Sequence, residues 1–198
     1  LVLLLAGPSV TGSPNFTALM GFDPAPPMRL LILGTALFPV TVLPVFWLTP
    51  GLGDPSLVIG ATLRLIAVIA VAAGVGFALR LRWQPNLEQI KALDGASAIV
   101  LGVVVVGLMF AVAPALASEP LTLAKWLALA CAVNFGLQAL AFKMLKTPGE
   151  AIVAGNRNIA LYLVALPASV TDPLLIFIGC YQIPMYLTPM VMARLYRA

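Results

Sequence analysis

Long apolar stretches follow one another along most of the chain, and they limit the possible folds more than any other feature. Residues 57–79 and 95–116 are two examples, each close to the ~20 residues that a helix needs to cross a bilayer. Charged residues make up 9% of the chain, whereas a soluble domain contains about 25%. Segments of about ten alternating residues, which a membrane barrel requires, are absent. The sequence therefore predicts an all-α polytopic membrane protein embedded in a lipid bilayer.

Seven apolar segments can be recognised, and we predict that each crosses the membrane. They cover residues 1–20, 28–48, 57–79, 95–116, 121–142, 150–168 and 173–193. The longest predicted loop is residues 80–94. Because the first segment begins at Leu1, inside an apolar run, we interpret the chain as N-terminally incomplete, with helices of the same protein missing upstream.

Basic residues in the loops predict the orientation. In the seven-span arrangement these Lys and Arg residues gather on one side: Arg29, Arg80, Arg82, Lys91, Lys143, Lys146, Arg194 and Arg197. Cytoplasmic loops carry such an excess, so we expect a cytoplasmic C-terminus in an integral protein of the bacterial inner (plasma) membrane. The net charge of +4 is then a topology signal, and we expect no nucleic-acid partner.

The first and the sixth segment are interrupted, the first by Gly7-Pro8 and by the polar stretch 11–15. Residues 156–158 (Asn-Arg-Asn) lie within the apolar run 151–168, and residues 11–13 (Thr-Gly-Ser) occupy the equivalent place 145 residues earlier, since 156 − 11 = 145. The same offset aligns a second pattern, in which Gly34, Pro39 and Pro44 correspond to Gly179, Pro184 and Pro189. Similarity at a fixed offset indicates an internal repeat.

The spacing of the two breaks indicates the architecture. The first and the sixth span differ by an odd number of spans, so they run through the membrane in opposite directions. Many secondary transporters have such inverted-topology repeats, and their discontinuous helices meet near the midplane and form the substrate site. We predict inverted five-helix repeats with two crossing discontinuous helices, and about seven of the full protein's helices in this chain.

The residues around the breaks resemble the bile acid:sodium symporter family. Residues 7–17 (Gly-Pro-Ser-Val-Thr-Gly-Ser-Pro-Asn-Phe-Thr) are similar to the Pro-x-Gly-Thr-Ser-Ser-Asn stretch of its broken fourth helix. Residues 155–161 (Gly-Asn-Arg-Asn-Ile-Ala-Leu) are similar to the Gly-Met-Gln-Asn-Ser-Gly-Leu stretch of its broken ninth helix. The resemblance covers the chain as helices four to ten of a ten-helix fold. It implies a core domain of residues 1–48 and 121–198, with a broken helix at 150–168, and a panel domain of residues 57–116.

The resemblance also implies a function. Members of the family take up organic anions such as bile acids and small organic acids, mostly with sodium. We therefore expect a secondary transporter that moves a small organic anion by alternating access. A non-transporting membrane sensor or subunit on a transporter fold is the alternative. The family's sodium-binding Glu aligns with Val153, and its Gln aligns with Arg157. Na⁺ is thus a possible ion whose family ligands are partly missing, and we expect no other cofactor.

Nine polar residues form the candidate set for binding substrate or ion: Thr11, Ser13, Asn15, Thr17, Asn134, Gln138, Asn156, Arg157 and Asn158. Each also has a structural interpretation. Polar side chains at the breaks can satisfy backbone groups that leave the helix. Asn134 and Gln138 lie four residues apart on one helix face, where they can line a crevice or join two helices by hydrogen bonds.

Arg157 has two interpretations that are compatible with each other. A buried charge in an apolar segment is a candidate functional residue, and a guanidinium there can attract an anion or take the place of a bound cation. Alternatively, it caps unpaired carbonyls of the broken helices. No catalytic constellation accompanies it, because the chain has no His and its two cysteines are not at metal-binding spacing. We expect no enzymatic activity.

Overall fold

The structure is a computed structural model that describes residues 2–48 and 54–197. These residues form helices and connecting turns, with no strand beyond one isolated bridge. By length and composition, four helical stretches can cross a membrane: Val58–Arg82, Leu87–Ser118, Pro120–Leu145 and Ala168–Arg197. The described part of the chain is therefore all-α, and its long apolar helices agree with the predicted membrane class.

Most of the chain consists of helices separated by very short connections. In order they are α1 (Val2–Ala6), α2 (Ser13–Leu19), α3 (Ala25–Thr41), α4 (Leu43–Leu48), α5 (Pro55–Arg82), α6 (Leu87–Leu108), α7 (Val112–Ser118), α8 (Pro120–Leu145), α9 (Pro148–Gly155), α10 (Leu161–Ala165), α11 (Ala168–Thr171), α12 (Leu175–Val191) and α13 (Ala193–Arg197). A 3₁₀ turn at Asp172–Leu174 joins α11 to α12.

The first and the sixth predicted spans are both discontinuous. In the first span, a gap separates α1 from α2. In the sixth span, another gap separates α9 from α10. The first gap covers residues 7–12 and so includes the predicted interruption at Gly7-Pro8. It ends earlier than predicted, because α2 already begins at Ser13 and includes Asn15 and Thr17. Pro14 occupies the first turn of α2, where a missing N–H costs no hydrogen bond and the fixed φ favours a helix.

The long loop predicted over residues 80–94 is wrong. Helix α5 continues to Arg82, and α6 begins at Leu87. Asn86 starts α6 with a reciprocal cap, in which its side chain accepts from Gln89 N at 2.9 Å and its own N–H donates to Gln89 Oε1 at 2.9 Å. The charged residues assigned to the loop therefore lie mostly on helix ends, as a capping box allows.

Two predicted spans are interrupted. Residues 28–48 divide into α3 and α4 at Val42, with Pro39 inside α3. Residues 95–116 divide into α6 and α7. Pro184 and Pro189, by contrast, both lie inside the continuous helix α12. A proline removes one helical hydrogen bond and bends the helix. The two proline pairs have the same spacing, but the helix is interrupted only between Pro39 and Pro44.

An aromatic cluster forms the centre of the main hydrophobic core. Tyr162 on α10 packs edge-on against Phe38, with ring centroids 5.4 Å apart, and against Phe46 at 5.9 Å. Leu65 of α5 and Tyr181 of α12 belong to the same buried cluster. Such ring pairs add about 0.5–1.5 kcal/mol beyond their buried area, so the cluster fixes the half-helix after the second break against α3, α4 and α12.

Helices α5 and α6 bury little of their surface. Of α5, only the part near Val58, Ala61 and Leu65 enters the core. The apolar side chains further along both helices are exposed, such as Phe77 at 68% and Val106 at 74%. Surfaces of this kind suit lipid or neighbouring helices rather than water.

Candidate binding site at the crossing of two chain breaks

The two chain breaks lie directly against each other. Ser9 and Arg157 form an antiparallel bridge. On one side of this bridge, Val10 N donates to Asn156 O at 2.9 Å; on the other, Asn158 N donates to Pro8 O at 2.8 Å. Backbone groups in a break have no partner within a helix, and non-helical backbone at membrane depth needs other partners. Here each break provides hydrogen-bond partners for the backbone of the other.

Arg157 binds the ends of the helices that enter the crossing. Its Nε donates to Ala154 O at 3.0 Å, and its Nη1 donates to Gly7 O at 3.3 Å. These carbonyls lie at the end of α9 and just after α1, where the helix dipole places partial negative charge. Unwound carbonyls of this type hold cations in transporters with broken helices, and here they face the guanidinium.

The positive charge of Arg157 is not neutralised by any acidic side chain that the structure describes within residues 2–48 and 54–197. A guanidinium carries five N–H donors, and the two bonds to carbonyls leave the other donors without an acceptor in that part of the chain. The side chain is half-buried. The arrangement therefore leaves a fixed cation able to bind an anion.

Asn134, Gln138 and Asn156 form a sealed polar network. All three are 0% exposed. Asn134 Nδ2 donates to Gly155 O at 2.7 Å and to Asn156 Oδ1 at 3.1 Å. Gln138 Nε2 donates to Asn134 Oδ1 at 2.6 Å and to Thr188 Oγ1 at 3.0 Å. These predicted binding residues thus hold α8, the second break and α12 together.

Two tyrosines complete this network. The Tyr196 hydroxyl donates to Gln138 Oε1 at 2.8 Å, and the Tyr181 hydroxyl donates to Gly155 O. Arg157 N in turn donates to Tyr181 Oη at 3.4 Å. Both tyrosines and Thr188 are outside the set predicted from the sequence. Tyr181 and Thr188 could have been found from their seven-residue spacing on α12, which places two polar groups on one helix face.

Gly155 allows the second break to approach α8 closely. A side chain there would collide with the carbonyl of Asn134 and with Cγ of Gln138. The carbonyl of Gly155 in turn accepts from Asn134 and Tyr181. A glycine is thus required by the packing of α9 on α8, independently of backbone conformation.

Thr11 and Asn15 face an open crevice between the first break and α6. Both are exposed, and with Ser97 they line a cavity of about 450 Å³ whose other walls are apolar residues of α6. Ser13 and Thr17, by contrast, are 0% exposed.

The two inward-facing residues of α2 satisfy each other and the backbone. Thr17 Oγ1 donates to Ser13 O at 2.8 Å, and Ser9 Oγ donates to Ser13 Oγ at 3.1 Å. The predicted set therefore divides by position. Thr11 and Asn15 line the crevice, Arg157 and Asn158 form the crossing, and the sealed interior contains Ser13, Thr17, Asn134, Gln138 and Asn156.

No family model, no curated protein and no solved structure matches the chain.

Proposed function

We propose that the chain belongs to a secondary transporter that moves a small organic anion across the cytoplasmic membrane by alternating access. One observation carries the proposal: two chain breaks cross inside apolar segments, and Arg157 at the crossing has no carboxylate partner among the described residues. A charge in such a segment is rare and usually serves substrate or ion.

The proposed architecture is a pair of inverted five-helix repeats, as in the bile acid:sodium symporter family. Residues 1–48 and 121–198 form the core with its crossed breaks, and residues 57–116 form the panel. Two features support this division. The crossing unites the breaks that the 145-residue offset aligns, and α6 faces the first break across a crevice.

The crevice gives the substrate a defined chemical class. Its volume of about 450 Å³ falls in the range of roughly 300–1,000 Å³ that is usual for small-molecule sites. Thr11, Asn15 and Ser97 supply the polar atoms, and α6 supplies apolar walls. Arg157 is not among the residues that line this crevice; it lies at the crossing, bound to Ala154 O and Gly7 O. We propose a small carboxylate with an apolar body, whose body suits the crevice and whose charge is attracted by Arg157.

Arg157 also bears on coupling. The carbonyls of Gly7 and Ala154 bind its guanidinium, so a tethered cation occupies the place where a mobile one would bind. We propose that transport does not require sodium at the crossing.

The test is uptake by the full-length protein in liposomes. Labelled small carboxylates should accumulate inside, and Arg157→Gln should lower uptake by at least about tenfold, because a charge-assisted contact contributes roughly 1.5–3 kcal/mol. Arg64→Gln is the matched control, since Arg64 is exposed on α5 and should leave uptake within about twofold. Folded protein that takes up no anion would refute the proposal.

A non-transporting sensor on the same fold is the second candidate. The sealed network of Asn134, Gln138 and Asn156 favours it, because these fully bonded groups hold the second break rigidly against α8. Equilibrium binding of a carboxylate without flux in the same liposomes would identify this function instead.

A further inference from the structure

The turn between α5 and α6 carries a groove that the proposed transport does not use. It has a volume of about 580 Å³ and is lined by Arg80 and Trp83 together with the apolar residues Leu79, Ile90 and Leu93. It lies at the end of two helices whose apolar surfaces are largely exposed. The groove thus combines a cation, an aromatic ring and apolar walls at one end of a helical hairpin.

A second groove adjoins the first. It has a volume of about 520 Å³ and shares Leu79 and Trp83 with the first. Arg82 and Val75 are among its lining residues, and they lie seven residues apart on α5, which corresponds to about 10 Å along a helix axis. Leu79 and Trp83, four residues apart, form the ridge between the two grooves. Each groove therefore has one arginine and an apolar floor.

Neither arginine has an acidic partner in the part of the chain that the structure describes. Arg80 and Arg82 form no ion pair with any acidic side chain described within residues 2–48 and 54–197. Glu88, in the first turn of α6, is the nearest described acidic residue in sequence and does not come within the 4.0 Å of an ion pair with them. Their guanidinium groups are therefore available to an external anion.

We propose that this turn binds an anionic phospholipid. The phosphate pairs with the arginine that lines a groove, Arg80 in the first or Arg82 in the second. A guanidinium presents parallel N–H donors to phosphate oxygens. An acyl chain lies on the apolar floor, along Val75 and Leu79 in one groove or beside Ile90 and Leu93 in the other. Trp83 sits at the headgroup level, where interfacial tryptophans concentrate.

The combination of features selects a lipid over a soluble phosphate. A soluble ligand needs the cation but has no use for an apolar trough about 10 Å long. The loop basic residues also predict that the turn faces the cytoplasm, whose leaflet carries anionic lipids that attract juxtamembrane Lys and Arg. This inference does not depend on transport.

Trp83 provides the readout. The chain has three tryptophans, Trp47, Trp83 and Trp126, so Trp47→Phe with Trp126→Phe leaves Trp83 as the reporter. In nanodiscs of phosphatidylcholine, brominated phosphatidylglycerol should quench its fluorescence at a lower mole fraction than brominated phosphatidylcholine. We expect the mole fraction needed for half-maximal quenching to be lower for phosphatidylglycerol by roughly fivefold per arginine, given the usual attraction of basic residues to anionic leaflets.

Two charge-matched variants make the result specific. Arg80→Gln with Arg82→Gln should abolish the preference for phosphatidylglycerol. Lys143→Gln with Arg197→Gln removes two charges from other predicted cytoplasmic segments and should preserve it. If both double variants lost the preference for phosphatidylglycerol equally, the lipid would be attracted by the general surface charge, and the proposed site would be refuted. Equal quenching by the two lipids, or full protection by millimolar inorganic phosphate, would also overturn it.

Discussion

Arg157 and Gly155, two residues apart, impose opposite requirements on the second break. The Arg157 side chain requires space and hydrogen-bond acceptors for its charge, and the carbonyls of Ala154 and Gly7 are those acceptors. Gly155 needs the absence of a side chain, because Asn134 and Gln138 occupy the adjacent space. The polar break is therefore a packed junction as well as a charged one.

Substituting Gly155 tests this packing. Gly155→Ala places a methyl group against Asn134 O and Gln138 Cγ, so the junction must shift. We expect a loss of about 1–3 kcal/mol in unfolding free energy, the usual cost of overpacking, measured by thermal unfolding in detergent.

Gly136→Ala provides the matched control on α8. No atom lies within 4 Å of a Cβ at that position, and alanine favours a helix over glycine by about 0.5–1 kcal/mol. The control should be as stable as the parent or slightly more so. If Gly155→Ala behaved in the same way, the close approach of α9 to α8 would be refuted.

The sequence was sufficient to identify Arg157 as unusual, because a charge inside residues 151–168 is visible without a structure. It was not sufficient to separate accessible from sealed candidates. Thr11 and Ser13 are two residues apart and chemically alike, yet Thr11 is exposed and Ser13 is buried. Thr11 lies in the break before α2, whereas Ser13 is the first residue of α2 and lies in the interior. The difference depends on where α2 begins, which the sequence pattern did not show.

At the scale of helices, the polar network joins α8 to α12 and α13 across large sequence separations. Gln138 contacts Thr188, 50 residues away, and Tyr196, 58 residues away. Buried amides bonded on every side are strongly directional. The network therefore sets the register of α12 against α8, which apolar contacts alone specify less sharply.

Removing Gln138 should expose the cost of this network. Gln138→Leu leaves the Tyr196 hydroxyl and Asn134 Oδ1 without their partners, at about 1–3 kcal/mol for each buried unsatisfied group. Thr188 Oγ1 keeps its bonds to Asn156 Oδ1 and Pro184 O. We expect a Tm roughly 5–10 °C lower, using the usual scaling for a chain of this size, measured by intrinsic fluorescence.

Gln182→Leu is the comparison for that experiment. Gln182 is also buried on a helix, but its Nε2 donates only to Ile178 O, one turn away. Its replacement should change Tm by no more than a few degrees. Similar losses in both variants would mean that any buried glutamine has this effect, and the network would lose its special role.

Helix type was predictable at this scale, whereas helix ends were less so. Apolar length identified the long helices. The reciprocal cap of Asn86 and Gln89 lay hidden in a charged stretch that looked like a loop. Here the charged residues lie on the ends of α5 and α6 rather than in a long loop, so hydropathy alone placed the boundary wrongly.

At the scale of the whole molecule, the crossing bears on the proposed independence of transport from sodium. Arg157 already brings a cation to the carbonyls of Gly7 and Ala154. Replacing external Na⁺ by N-methyl-D-glucamine should therefore change carboxylate uptake by less than about twofold, since a bound cation competes for the same partial charges. The measurement is initial uptake into liposomes at constant ionic strength, with membrane potential clamped. A steep rise of uptake with Na⁺ would place a sodium site elsewhere in the protein.

The class of the molecule followed from composition, and the meeting of the breaks followed from their offset in sequence. Positions 11 and 156 suggested a pair, but the pairing occurs at residues 8–10 and 156–158. Repeat alignment locates equivalent elements and not the atoms that touch. The contact itself depends on where each half-helix ends, and local capping decides this.

The crossing also has a consequence for biosynthesis. Ser9 and Arg157 are 148 positions apart, since 157 − 9 = 148. At the usual synthesis rate of about 5–20 residues per second, the first break leaves the ribosome roughly 7–30 s before its partner. During that interval the carbonyl of Pro8 and the N–H of Val10 lack their later partners, Asn158 N and Asn156 O. Bare lipid cannot satisfy such groups, so the insertion machinery or retained water must protect this segment until the partner arrives.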